Sequence, residues 1–374
     1  MKIIILKDNL IEALSSVEKA VSCENNLPIL KSVKLEAGEN NSITLISTNL
    51  ELAIRHKISG KVIDKGISII PFSFFNSIIR NLNTEKVHLE YKNKKLTIKA
   101  DNYEGVLNCN NPREFPIIPE IQDKSKSIEI KSKLLKKILS KVLIATQYSE
   151  IRPEINGIYF NIKANQLTLV GTDSFRLVEE VLDVNEIETN FSDLKIIVPL
   201  KTAENILKIT SNEGQVSIYT DSNQVLFEDS SKMVISRLVN GNFPDYKNII
   251  PKGSSEEIIV NRDELINAIE LTKVFAGKAN DITFKILTNK KVLEVYSTNN
   301  IIGKNNYRVP ISIEGKKEEI KISFNWRYIL DGLKIYENDE VVLGFNNSEK
   351  PVVVRDKKEK RVVYIVMPIR SATP

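Results

Sequence analysis

Three stretches of this chain read alike: LISTNLELAI over 45–54, LVGTDSFRLV over 169–178 and VYSTNNIIGK over 295–304. Each is an apolar strand-like run that ends on a small residue, then Thr48, Thr172 or Thr298, then an amide or acid. The threonines recur at a period of about 125 residues, and self-similarity at a fixed period is the first thing a fold must explain. The landmarks on either side recur in the same order. Upstream lies a strand running into an amphipathic helix: IIILKDNLIEALSSVEKAV, IEIKSKLLKKILSKVLIAT and IIVNRDELINAIELTKVFA. Asp8, Ser132 and Asn261 or Asp263 stand where a side chain can accept from the unpaired amides of the first turn. Downstream come a strand and a second helix: ISIIPFSFFNSIIRNL, KIIVPLKTAENILKIT and IKISFNWRYILDGLKIY. Pro71 and Pro199 mark the strand-to-helix corners, where a missing donor does no harm, and Phe324 is placed as the third equivalent. Alternating runs such as VHLEYKNKKLTIKA close each third and demand half-buried antiparallel sheet.

The reading is α+β: three similar domains, each with two helices packed on antiparallel sheets, at 1–122, 123–252 and 253–374. The linkers fall after NPREFPIIPEI and around GNFPDYKNIIPKGSS. Each unit is long enough for its own core, unlike a short solenoid repeat. A chain of 374 residues with 42% hydrophobic residues, 14 Gly and 13 Pro is neither collagenous nor disordered. The uncharged stretch between Lys65 and Arg80 is shorter than the ~18 residues that span a bilayer. Lys7 and Asp8 interrupt the first apolar run before a signal-peptide core forms, so the protein is expected in the cytoplasm, with no membrane partner.

Chemistry is sparse. Cys23 and Cys109 match no metal or redox spacing and are expected to be reduced thiols without a task. His56 and His88 read as ordinary strand residues. Asp173 and Arg176 could pass for an acid and its electrophilic partner, but Asn49 and Asn299 hold the same place in the other repeats, so a shared turn accounts for them. There is no glycine-rich phosphate loop, and no enzyme, cofactor or metal is expected. Net charge is +5, with a pI near 8.8, so any DNA contact should be weak or local. In KSKLLKKILSKV the apolar positions fall on one helix face, and Lys133, Lys136, Lys137 and Lys141 on the other, with no acid among them. Such a face can follow a phosphate backbone without reading bases.

Six short signatures in order, LPIL (27–30), STNLE (47–51), INGIYF (155–160), GTDSFRL (171–177), FPDY (243–246) and YIVMPIR (364–370), laid on the threefold repeat, make the sequence resemble the bacterial DNA polymerase III beta subunit, the sliding clamp, over essentially its whole length. The resemblance implies a head-to-tail homodimer ring that encircles double-stranded DNA without sequence specificity, helices facing the hole. It implies a DNA-binding set of Arg80, Lys133, Lys136, Lys137, Lys141 and Lys201. It also implies a pocket for short linear peptides from the replicative polymerase, the clamp loader and repair proteins. That set is Ile155, Thr172, Phe175, Arg176, Leu177, Pro244, Ile249, Val366, Met367, Pro368, Ile369 and Arg370. Phe175 stands where the family usually has histidine and Asn248 where a basic residue is common, which makes the pocket more apolar and less positive. Glu24 stands near a position where some members have an arginine that touches DNA. For the dimer contact, the edge strand Tyr103 to Cys109 of the first domain, with Tyr103 and Leu107, is expected to meet the helix around Leu271 and Phe275 of the third. The competing reading is a three-repeat interaction scaffold that does not encircle DNA.

Overall fold

The computed structural model describes all residues except 23–26, 164–165, 184, 316–318 and 370–374. Among the described residues there are six α-helices, two in each third: α1 Lys7–Val17, α2 Phe72–Asn81, α3 Ser132–Val142, α4 Leu200–Ile209, α5 Arg262–Thr272 and α6 Trp326–Lys334. None is long and apolar enough to cross a membrane. The chain divides into two compact units, Met1–Lys136 with Glu186–Phe191 and Lys201–Leu238, and Lys137–Asn185 with Ser192–Leu200 and Val239–Pro374.

The first unit holds two antiparallel sheets. The smaller has five strands, in the order Lys61–Asp64, Lys2–Leu6, Lys86–Lys92, Lys95–Ala100 and Tyr103–Asn108. The larger has nine, in which Lys232–Arg237 pairs with Leu52–Ser59 and places Ile235 opposite Ala53. The second unit is built on a twelve-stranded sheet, in which Val362–Val366 pairs with Arg176–Leu182 and places Ile365 opposite Leu177. The two junctions have the same register, because the repeat positions are the same. In each unit helices bury their apolar stripe on the sheets. Leu10, Ala13 and Leu14 of α1, and Leu265, Ala268 and Ile269 of α5, are fully buried.

The recurrent threonine motif is a side-chain-stabilised turn. Thr172 Oγ1 donates to the Arg176 carbonyl at 2.7 Å, and Asp173 Oδ1 accepts from the amides of Phe175 and Arg176 at 2.9 and 3.0 Å. Thr48 and Asn49 repeat the arrangement around Leu52, and Asn299 accepts from the amides of Ile301 and Ile302. The central residues Leu50 and Ser174 both sit in the left-handed region, at φ 78° and 77°.

Three helix-entry expectations change. Asn261 does cap α5, accepting from the Glu264 amide at 2.9 Å. Asp8, however, lies inside the first turn of α1, whose cap position is Leu6 with no side-chain bond. Ser132 is the first residue of α3, and its buried hydroxyl has no partner among the described residues. The third counterpart of Pro71 and Pro199 is Asn325, not Phe324. Asn325 ends the strand Lys321–Asn325 and caps α6 through the Arg327 amide, while Phe324 is fully buried.

His56 does more than fill a strand position. It is 2% exposed, its Nδ1 lies 3.0 Å from Ser16 Oγ, and Glu12 and Lys232 form a 3.0 Å ion pair beside it. Burial first, and then the Lys232 charge, push its pKa down to about 4. Cys109 is pushed up to about 11 by burial and stays protonated near neutral pH, while Cys23 lies outside the described residues. A histidine of ordinary pKa near 6.5 in the unfolded chain takes up a proton there before it does in the fold. Its contribution is therefore complete above about pH 6.5 and is lost as pH falls toward 4, by about 3 kcal/mol in all. Urea unfolding at pH 7 and pH 4.5 should show a steeper acid loss for the natural chain than for His56→Gln.

Candidate functional site

The residues singled out around the threonine turn of the middle third come together in the second unit. The strand Arg176–Leu182 starts the site and the strand Val362–Val366 runs beside it. Beyond that strand the Met367 amide donates to the Phe175 carbonyl at 2.8 Å, and the Ile369 amide donates to the Ser323 carbonyl at 2.8 Å. The C-terminal segment is thus tied to the turn on one side and to the strand before α6 on the other. A loop carrying Tyr148 and Ile151 is tied to the same turn, because Arg152 Nη1 donates to Ser174 Oγ at 3.0 Å. The linker packs against the sheet through Phe243, stacked on Tyr159 at 4.7 Å, and Tyr246, which meets both rings edge-on.

Within this arrangement the predicted residues play two parts. Ile155, Leu177, Val366 and Pro368 are buried and form the support. Thr172, Pro244, Met367 and Ile369 are half-buried. Phe175 and Ile249 are 59% and 47% exposed and present apolar surface to solvent. Arg370 lies outside the described residues, as do Glu24 and Ser371 to Pro374. Arg176 is held rather than free. Its Nε donates to Asp173 Oδ2 at 2.9 Å, its Nη1 to Asp331, and its guanidinium lies 4.5 Å from the centre of the Tyr328 ring, which also stacks on Phe175. Asn248 bonds Asp245 at 2.6 Å.

Sequence reasoning missed Tyr328 and Asp331, which α6 brings to the site from far along the chain. It also missed Tyr148 and Ile151, exposed at 69% and 91%, whose signal is two large apolar residues in a polar loop. Among the described residues no acid and base converge on a reactive geometry here. The surface can bind an apolar, extended ligand, and the fixed Arg176 can orient it.

The lysine face of α3 is only partly as expected. Lys133 is exposed. Lys136 Nζ bonds the Thr210 carbonyl at 3.0 Å and Asn212 Oδ1 at 2.7 Å, while Lys137 pairs with Glu337 at 2.8 Å. Lys141 departs from the expectation. It is buried, with Nζ 3.4 Å from Glu180 Oε1, because a carboxylate on the strand Arg176–Leu182 lies under the last turn of the helix. Lys141 is therefore withdrawn from the DNA-facing set. Of the second-helix residues, Lys201 is largely exposed with Glu204 at 3.5 Å, and Arg80 bonds Asn76 and Ser15.

Of the residues expected at a dimer contact, Tyr103 and half-buried Leu107 lie on Tyr103–Asn108, an edge strand of the five-stranded sheet in the first unit. In the second unit, Leu271 is 51% exposed and Phe275 half-buried, and Val274, Ile301 and Ile302 extend the apolar surface they start.

The architecture is that of the bacterial DNA clamps: a solved DNA polymerase sliding clamp from Bacillus subtilis is similar with a TM-score of 0.93 at 28% identity, covering 99% of each chain. The chain belongs to the DNA polymerase III beta subunit family, whose N-terminal, central and C-terminal domains match residues 1–119, 129–245 and 247–370. The Beta sliding clamps of Bacillus subtilis (strain 168) and Staphylococcus aureus (strain N315) are each 30% identical to it, over 99% of this chain and 100% of theirs. The beta subunit from Thermotoga maritima has the same fold, with a TM-score of 0.90 at 24% identity.

Glu180 is fully buried, and burial raises its pKa in spite of Lys141 and Arg361. Lys141→Met should cost about 3 kcal/mol at neutral pH by leaving this carboxylate short of a partner. The deficit should shrink at lower pH, where Glu180 takes up a proton, and Lys141→Met with Glu180→Leu should recover most of the loss in chemical denaturation.

Proposed function

We propose that the protein is a DNA sliding clamp: a cytoplasmic, non-catalytic processivity factor that closes as a homodimer around duplex DNA and tethers the replicative polymerase and other partners through short peptides. One observation carries the ring. In the first third the strand after the threonine turn, Leu52–Ser59, pairs with the last strand of the next third, Lys232–Arg237. In the second third the equivalent strand, Arg176–Leu182, pairs with the last strand of the third that follows, Val362–Val366. The equivalent segment of the last third is 303–310, which pairs on one side with Val292–Asn299 and has no strand on the other among the described residues. The last strand of the first third, Tyr103–Asn108, is likewise an open edge. Unpaired strand edges template pairing with another chain. A second copy that supplies its 103–108 to 303–310 continues the pattern head to tail, and two such contacts close it.

The expected apolar contact fits this pairing. Phe275 lies 3.8 Å from where a side chain at Gly303 would begin, and Asn305 Nδ2 donates to the Leu271 carbonyl at 3.0 Å. Leu271 and Phe275 thus flank the open edge that Tyr103 and Leu107 would meet. The remaining DNA-facing set, Arg80, Lys133, Lys136, Lys137 and Lys201, is modest and partly engaged by neighbours. That suits a protein held on DNA by closure, since phosphate contacts strong enough to retain an open protein would also arrest sliding.

Sedimentation should give twice the chain mass of 42.4 kDa. On nicked circular DNA the loaded protein should persist, and cutting the circle should release it. Equal retention on linear DNA with free ends would overturn the ring, and would favour a scaffold that does not encircle DNA. In the peptide site, Met367→Asp with Phe175→Ala should weaken capture of a polymerase C-terminal peptide by at least about tenfold while leaving the dimer intact.

A further inference from the structure

The junction between the first and second thirds differs from its counterpart between the second and third in one respect that bears on binding. At the later junction, within the second unit, the space above the paired strands is filled: Tyr159 stacks on Phe243, and Tyr246, Leu177 and Ile365 pack into one cluster. The register identifies the equivalents at the earlier junction, which lies wholly in the first unit. Tyr159 faces Val170 as Lys34 faces Ile46, and Leu177 faces Ile365 as Ala53 faces Ile235. In the linkers FPDY aligns with FPII, so Ile118 takes the place of Tyr246. A lysine, an alanine and an isoleucine thus replace two aromatic rings and a leucine. Ile118, with Met233 and Leu226, lines a hollow of about 110 Å³, and it shares with Lys34 the lining of an adjoining open groove of about 940 Å³. The hollow approaches the ~150 Å³ of a cavity that accepts a benzene ring.

The rim carries four cations, Lys34, Arg55, Lys57 and Arg113, and two carboxylates, Glu36 and Glu120. Lys34 is paired with Glu36, and Arg55 with Glu120 at 2.8 Å. Lys57 and Arg113 have no ion pair among the described residues, and the buried Arg55 Nε has no acceptor. Glu120, paired with Arg55, sits on the linker with its side chain 58% exposed, and it bonds a terminal nitrogen. An apolar floor with two unanswered cations and one orphaned donor at its edge is complementary to large apolar side chains flanked by carboxylates.

We propose that this groove is a second docking site, for a short extended segment of a partner protein that places a leucine or phenylalanine against Ile118 and Met233 and carboxylates against Arg55, Lys57 and Arg113. It is separate from the site around Phe175 and Met367, and it does not rest on the reading of that site.

The probe is a fluorescein-labelled peptide of sequence GELEFELG, titrated into the full chain carrying Met367→Asp and Phe175→Ala so that the other site is silent. Saturable binding with Kd of about 0.1 mM is expected, weakened about tenfold in GQLQFQLG and about tenfold by Lys57→Glu with Arg113→Glu. Lys34→Tyr with Ile118→Tyr reproduces the filled junction and should abolish binding. The surface pair of charge reversals tests the proposal independently of whether this filled variant folds. Absence of saturation at about 1 mM would overturn the proposal. So would binding indifferent to both variant pairs, or a filled variant that folds but loses the dimer, since a second copy of the chain would then be the occupant.

Discussion

The structure depends on antiparallel ladders between strands that lie far apart in sequence. Ala53 faces Ile235 and Leu177 faces Ile365, so that in each case a strand of one third is covered by the closing strand of the next. Backbone groups in a sheet interior need partners, and here the partner arrives more than a hundred residues later. The thirds are therefore similar in sequence without being self-sufficient in hydrogen bonding. The same arrangement fixes the candidate peptide site, because the C-terminal segment reaches Phe175 only by continuing the strand Val362–Val366.

That dependence explains the chemistry on display. The conspicuous polar residues of the threonine motif are occupied in holding turns. Thr172 and Asp173 satisfy the amides and carbonyl of a left-handed corner, as Thr48 and Asn49 do. What remains for a partner is apolar surface, Phe175 and Ile249 in particular, beside an arginine already fixed by two carboxylates and a tyrosine ring. Such a surface is suited to an apolar ligand of matching shape.

Much of this was legible in the sequence because it is periodic. The threefold repeat, the helix faces and the shared turn each leave a local pattern that spacing reveals. Lys141, His56, Tyr328 and Asp331 each depend on a contact from another element. Lys141 looked like a solvent-facing lysine on its helix, and only the fold brings Glu180 beneath it. His56 appeared featureless until Ser16, Glu12 and Lys232 closed around it. Tyr328 and Asp331 carry no motif, yet they position Arg176. The Phe324 error has a simpler origin, a shift of one position: the corner needs a residue that tolerates extended backbone, and Asn325 meets that need and adds a cap.

The long-range ladders also bear on biosynthesis. While the ribosome is still making the last third, the strand Arg176–Leu182 has no cover, because its neighbour Val362–Val366 belongs to that third. A nascent chain in that interval presents a hydrophobic sheet margin to its surroundings, so premature termination leaves a sticky fragment rather than a smaller working protein.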